Sequence, residues 1–213
     1  MKLSKCNFRD LYKQCILIKG ISTFEKTKYV LEKHSFTPPA KADSILCYCY
    51  IDADAGMSFD FICPAFFEIG EPDFESYEKL HEVNIRLFYR YGAVQDDDIK
   101  IFSQDVSVFD KQCKRIDEWY HRDEKVLLTR NIKEIDHLRF LESPDDIMIE
   151  LRKDGLLTEM VWARLSGIES GNLAGVLLNE PHSDFGIHIG DIVHVQITIR
   201  GNETFALCLL PKQ

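Results

Sequence analysis

The chain has 213 residues, 45% of them apolar, enough for one large domain or two modest ones with real cores. Its 35 acidic residues outnumber 26 basic ones, giving a formal charge of -9. A nucleic-acid backbone or an anionic membrane would be repelled over about 10 Å, which argues against both and leaves a basic or neutral protein, or a second copy of the chain, as partner.

Residues 1–6 lead into no apolar leader core, and the longest unbroken apolar run, residues 45–51, is too short to cross a bilayer. A cytoplasmic protein is expected. Seven cysteines, an odd number at uneven spacing, fit reduced thiols better than a disulfide framework.

Residues 15–21 read as a first strand. Ser22 or Thr23 is placed to cap a helix whose face carries Phe24, Thr27, Val30, Leu31 and His34, and Pro38-Pro39 ends it. Residues 44–51 alternate two apolar faces, as a central strand does, and the turn from Asp52 to Gly56 leads into a hairpin partner at 57–63. Pro72-Asp73 opens the most regular helix, with Phe74, Tyr77, Leu80, His81, Asn84, Leu87, Phe88 and Tyr91 on one face and Gly92 as its stop. After the solvated acidic run Asp96-Asp97-Asp98 comes a strand at 99–102. This order is that of a split βαβ, so residues 1–142 are expected to form a ferredoxin-like α/β sandwich. Its extra helices carry Phe109, Cys113, Ile116 and Tyr120, then Ile135, Leu138 and Leu141 behind a capping-box variant at Asn131 and Glu134, with a short strand at 126–128 between them. Ser143-Pro144-Asp145-Asp146 reads as a second helix start and sets the boundary to a second domain, 143–213.

The second domain reads as β-rich, making the whole chain α+β. Residues 159–165, 173–178, 192–197 and 205–210 form four short strands separated by glycine turns, which predicts a small curved β-sheet or partial barrel. In the third strand Val193, Val195 and Ile197 share one face, and Ile192, His194 and Gln196 the other. The pattern Glu159-Met160-x-Trp162, Gly175, Leu178-Asn179-Glu180-Pro181, Gly186 and Gly190-Asp191 with Val193 and Val195 resembles the YegJ-like bacterial domain of unknown function. The resemblance covers the last third of the chain and implies a bacterial module but no reaction. The closing segment departs from it: relatives end on acidic and aromatic residues, whereas this chain runs through Phe205 to Leu210.

Chemistry-bearing residues are few. Cys47-x-Cys49 points two thiols one way but lacks a second ligand pair, and Asp52-Ala-Asp54-Ala-Gly56 lacks the glutamate of a calcium loop, with Ile62 in its place. His182, Asp184, His188 and His194 would form a metal site or general-base pair only if the loop after Pro181 folds over the sheet. His34 and His81 are expected in apolar helical faces. No nucleotide, dinucleotide or hydrolase motif occurs, so no cofactor or metal is expected. Trp162, with Trp119, Tyr120 and the Asn179-Glu180-Pro181 turn, suits a recognition surface, and Trp162 equally suits the core. The expected function is a non-enzymatic protein-binding factor of immunity or accessory type. A small-molecule-sensing regulator with sheets paired edge to edge, and a metal-assisted hydrolase on the His182 to His194 segment, are the alternatives.

Overall fold

The structure, a computed structural model, describes residues 1–82 and 85–210, without the side chains of His81 and Glu82. The expected face contributions of His81 and Asn84 thus lie outside the described residues. The chain divides into two compact units, Met1–His121 and Arg122–Gln213.

In the first unit, α1 (Phe8–Leu11) and β1 (Cys15–Lys19) precede α2 (Ile21–Lys33), followed by β2 (Ser44–Asp52), β3 (Gly56–Phe66), β4 (Glu71–Pro72) and α3 (Phe74–Glu82). Then come β5 (Phe88–Arg90), α4 (Tyr91–Val94), β6 (Asp98–Ile101) and α5 (Asp110–Trp119). The strand order is β4-β3-β2-β1-β6, with β5 also on β3. A ferredoxin-like sheet would have interposed β3 between β1 and β2. Here β1 and β2 are direct antiparallel neighbours, Cys15 opposite Tyr48 and Ile18 opposite Ile45. The reason is the route between them: α2 and the stretch through Pro38-Pro39 leave from the end of β1 and return to that same end.

β2 is buried on both faces, as its alternation predicts. Cys47 and Cys49 are fully buried, and that burial pushes both thiols well above their ordinary pKa, which suits structural residues. The sheet curls because β3 is long and bends, pairing with β4 at Ala65–Phe66 and with β5 at Ser58–Asp60. The helix expected through Tyr91 therefore stops early: Phe88 to Arg90 supply β5, and the buried Tyr89 hydroxyl lies 2.6 Å from that of Thr27. The start of α2 also differs from expectation, since Gly20 is its N-cap and Thr23 donates to Asp97 at 2.5 Å. A Cβ on Gly20 would meet Asp97 Oδ1 at 2.0 Å, so the middle of the acidic run is a helix-start partner that requires glycine beside it. His34 is exposed at the end of α2 and is not a core histidine.

Beneath α5 lies an unusual buried acid. Asp60 on β3 is 7% exposed and accepts from Gln112 Nε2 at 3.3 Å. Burial lifts its carboxyl from 3.8 to about 6, against the opposing pull of that bond and of Arg86 and Arg115. Between those values the folded chain keeps the proton and the unfolded chain has lost it, so stability falls as pH rises through the window, by roughly 3 kcal/mol in full. Asp60→Asn is expected to remove that slope and to stabilise the first unit at about pH 7.5, followed through Trp119 fluorescence. An unchanged slope would assign the pH dependence elsewhere.

In the second unit, α6 (Glu124–Arg130) and a 3-10 turn (Lys133–Leu138) precede β7 (Arg139–Phe140), β8 (Ser143–Arg152), β9 (Glu159–Glu169), β10 (Asn172–Leu177), β11 (Ile192–Arg200) and β12 (Glu203–Leu209). β8 to β12 form an antiparallel meander. With five strands the first and last run the same way, so closure must be parallel: β12 pairs with β8, Leu207 opposite Glu150 and Leu209 opposite Arg152. The curved sheet is thus a closed barrel, filled by Ile147, Ile149, Leu151, Val161, Ala163, Leu165, Val193 and Val195 among others. Its sharp bend falls at a register shift at Ala174/Gly175, where a Cβ on Gly175 would lie 2.8 Å from the Arg164 carbonyl oxygen.

Three local expectations change here. Residues 126–128 are helical within α6, residues 135 and 138 lie in a 3-10 turn, and Ser143-Pro144-Asp145-Asp146 begins β8. The unit begins at Arg122, before the expected boundary at 143, because α6 and the turn belong to the barrel. Arg130 forms a two-pronged pair with Asp145 at 2.9 and 2.8 Å, both side chains buried, and Arg139 donates to the carbonyls of Thr129 and Pro144 at 2.6 and 2.7 Å. The acids that resembled a helix cap are arginine acceptors. Arg130→Ala would leave Asp145 charged and buried, at a cost of about 3 to 5 kcal/mol. Denaturation followed at Trp162 in a Trp119→Phe background should register that loss, and a change under 1 kcal/mol, roughly the worth of an exposed pair, would remove Arg130 from its role.

Candidate functional site

The period of a strand decides which side chains reach the surface of the barrel. Along β9, Val161, Ala163 and Leu165 point inward and are buried, which forces Met160, Trp162 and Arg164 outward. Trp162 is therefore not core filling. It is half-buried on the outer wall, against Phe140 from β7 with ring centroids 5.7 Å apart and planes at 59°. Phe140 is 46% exposed and Met160 50%.

Beside this pair is a cleft of about 280 Å³ lined by Phe140, Asp146, Trp162, Leu178 and Asn179. Asp146 is 6% exposed and is held by Arg164 through Nε at 2.6 Å and Nη2 at 2.9 Å. Just past the end of β10, Leu178 N–H donates to the Trp162 carbonyl at 2.8 Å, and Trp162 N–H donates to Asn179 Oδ1 at 2.7 Å. Asn179 thus stands in for a strand residue, fixing the tryptophan backbone from the side. The cleft joins an aromatic wall to a fixed guanidinium–carboxylate pair, a combination that can seat an apolar side chain and align polar groups at its rim.

The loop from 178 to 191 is tied down by its own acids. Glu159 accepts from the His182 and Ser183 amides at 2.7 and 2.8 Å, and Glu180 accepts from the Ile189 amide at 2.9 Å while its other oxygen lies 2.6 Å from His188 Nδ1. Asp184 accepts from Gly186 N–H at 3.0 Å and Asp191 from His188 N–H at 2.8 Å. Pro181 is buried, and Phe185, 3% exposed, belongs to the barrel core. Of the residues singled out from sequence, Trp162 and Asn179 meet in the cleft. Glu180, Pro181, His182, Asp184 and His188 instead build the loop. His194 is exposed on the outer face of β11, opposite Ala174. Among the described residues, no group of three or more histidines, cysteines and acids is arranged to hold a metal ion.

Phe140, Asp146 and Arg164 were not foreseen as site residues. The signal for them was the alternation of Ile147, Ile149 and Leu151 after Pro144, which is a strand pattern and puts Asp146 on the outer wall. Compared with protein-family models, curated proteins and solved structures, the chain matches none. Among the described residues no helix is long and apolar enough to cross a membrane.

The Glu180–His188 contact has a direct test. The carboxylate raises the imidazole pKa above its ordinary 6.5, and the Ile189 amide together with His188 lowers that of Glu180. The pair is present while His188 is protonated and weakens as pH rises through the raised imidazole value. Glu180→Gln is expected to bring the His188 titration, read by NMR, back down towards 6.5. A His188 titration that stays where it is in the wild type would show that Glu180 does not hold it.

Proposed function

We propose that the barrel is a protein-recognition module, in keeping with the YegJ-like resemblance of its sequence, and that the Trp162–Phe140 cleft is its contact face. The observation that carries this reading is the outward direction of Trp162. A tryptophan held half-exposed by two backbone hydrogen bonds, beside an exposed phenylalanine and methionine, is the kind of anchor that dominates binding energy at protein interfaces. The barrel interior is filled by its own side chains, which favours the outer wall over the lumen for recognition. The formal charge of -9 favours a basic or neutral partner, steered by charge and anchored by the aromatic pair.

The test is retention of a stoichiometric partner from extracts of the source cell by the immobilised full chain, followed by isolation of that partner and titration. Trp162→Ala should weaken binding by about thirtyfold or more, equivalent to ~2 kcal/mol. Phe140→Ala should weaken it less, circular dichroism should be unchanged, and added salt should slow association. Equal binding by wild type and Trp162→Ala would reject the face, and a complex indifferent to salt would reject the electrostatic contribution.

A further inference from the structure

The first unit carries a second site of a different character. A hollow of about 360 Å³ lies along α5, lined by Lys111, Gln112, Lys114, Arg115 and Glu118. Three cations face one acid there, in a chain whose formal charge is -9. Lys114 has a carboxylate within reach, Asp110 at 3.6 Å, whereas among the described residues Lys111 and Arg115 form no ion pair, Arg115 acting on the buried Asp60 only at longer range. Arg115 is nevertheless placed: its guanidinium sits 4.9 Å from the ring centroid of Trp119, and that of Arg86 sits 5.0 Å from the same ring while donating to the Tyr120 hydroxyl at 2.6 Å. Gln112 is fixed from behind, donating to Asp60 and to the Phe61 carbonyl at 3.0 Å. The hollow therefore combines positioned cations with a carboxamide anchored in a buried polar cluster, more organisation than a solvated lysine-rich helix face needs.

We propose that this hollow binds the phosphate group of a small soluble molecule. The volume suits a ligand of metabolite size, and two positive side chains that form no ion pair among the described residues, with a third nearby, match a dianion better than a single carboxylate. Arg115 supplies a planar fork already oriented by Trp119, Lys111 and Lys114 add point charges, and Glu118 opposes the ligand.

Inorganic phosphate is the probe, added to the full chain carrying Trp162→Phe so that Trp119 is the remaining tryptophan. At about pH 8, where phosphate is a dianion, its addition should change Trp119 emission along a saturable curve, with chloride at matched ionic strength giving none. Arg115→Gln and, separately, Lys111→Gln should each weaken binding about tenfold or more, and Glu118→Gln should tighten it. The two neutralising variants guard against a folding artefact, since Lys111 is exposed and forms no ion pair among the described residues. A phosphate curve that superimposes on chloride, or neutralised variants that bind as the wild type does, would overturn the proposal. Because Trp162 is absent throughout, the outcome is independent of the barrel face.

Discussion

Closure of the barrel is the constraint on which the second unit depends. Four antiparallel pairings leave β8 and β12 as edges pointing the same way, and only a parallel pairing between Glu150–Arg152 and Leu207–Leu209 removes them. Once closed, the interior admits every second residue of these strands, joined by Phe185 from the 178–191 loop and Ile135 from the 3-10 turn. The outward set, including Trp162 and Arg164 on β9 and Asp146 on β8, is thereby fixed relative to the inward set without any contact of its own having to decide it. Closure is reinforced on its outer side, where Arg200 and Arg152 each approach the nearly buried Glu150, at 2.9 and 3.2 Å. A carboxylate so buried is tolerable because two guanidinium groups face it.

The same economy governs the acids. An excess of carboxylates suggests a uniformly negative, solvated surface, yet many of them serve as acceptors inside the fold. Asp97 meets the start of α2, Asp145 and Asp146 receive arginines, and Glu159, Glu180 and Asp191 hold the 178–191 loop through backbone amides. Backbone donors in an irregular loop must find partners, and short acidic side chains supply them locally. The cations of α5 differ, since Lys111 and Arg115 form no ion pair among the described residues.

What the sequence made legible follows from the range of the forces involved. The strands of β9 to β12 and their inward and outward faces were readable because alternation is local and glycine marks the bends. β2 was readable as central because both its faces are apolar. The sheet order of the first unit was not: nothing in periodicity says whether an excursion through a helix returns to the near or the far end of its strand. Residues 88–90 were misassigned because Phe88 and Tyr91 fit a helical period, while Tyr89, buried against Thr27, decides the matter through a tertiary contact. Ser143-Pro144-Asp145-Asp146 carries every residue type of a helix start. Only the distant Arg130 and Arg164 explain why those acids sit on a strand. At the cleft, Trp162 and Asn179 were both singled out from the sequence, whereas Phe140 joins them only through the fold.

The position of Gly175 links this curvature to the cleft beside Trp162. The register between β9 and β10 shifts at Ala174/Gly175, so that Gly167 pairs with Ala174 while Leu165 pairs with Gly175, and one residue of β9 is left over. Because side chains alternate, that single extra residue moves the face shared with Leu173 and Gly175 from Leu165 before it to Ile168 after it. With the bulge in place, Trp162 comes level with the end of β10, where Leu178 and Asn179 can bond its backbone. Trp162 lies before that leftover residue, and its outward direction is set by the unshifted pairing of β9 with β8, in which Val161 and Ala163 stand opposite Ile149 and Ile147. Any side chain at 175 would meet the Arg164 carbonyl, so the close approach of β10 to β9 two residues beyond Trp162 requires glycine there. Curvature and the placing of Trp162 against the end of β10 are in this sense linked through one backbone position.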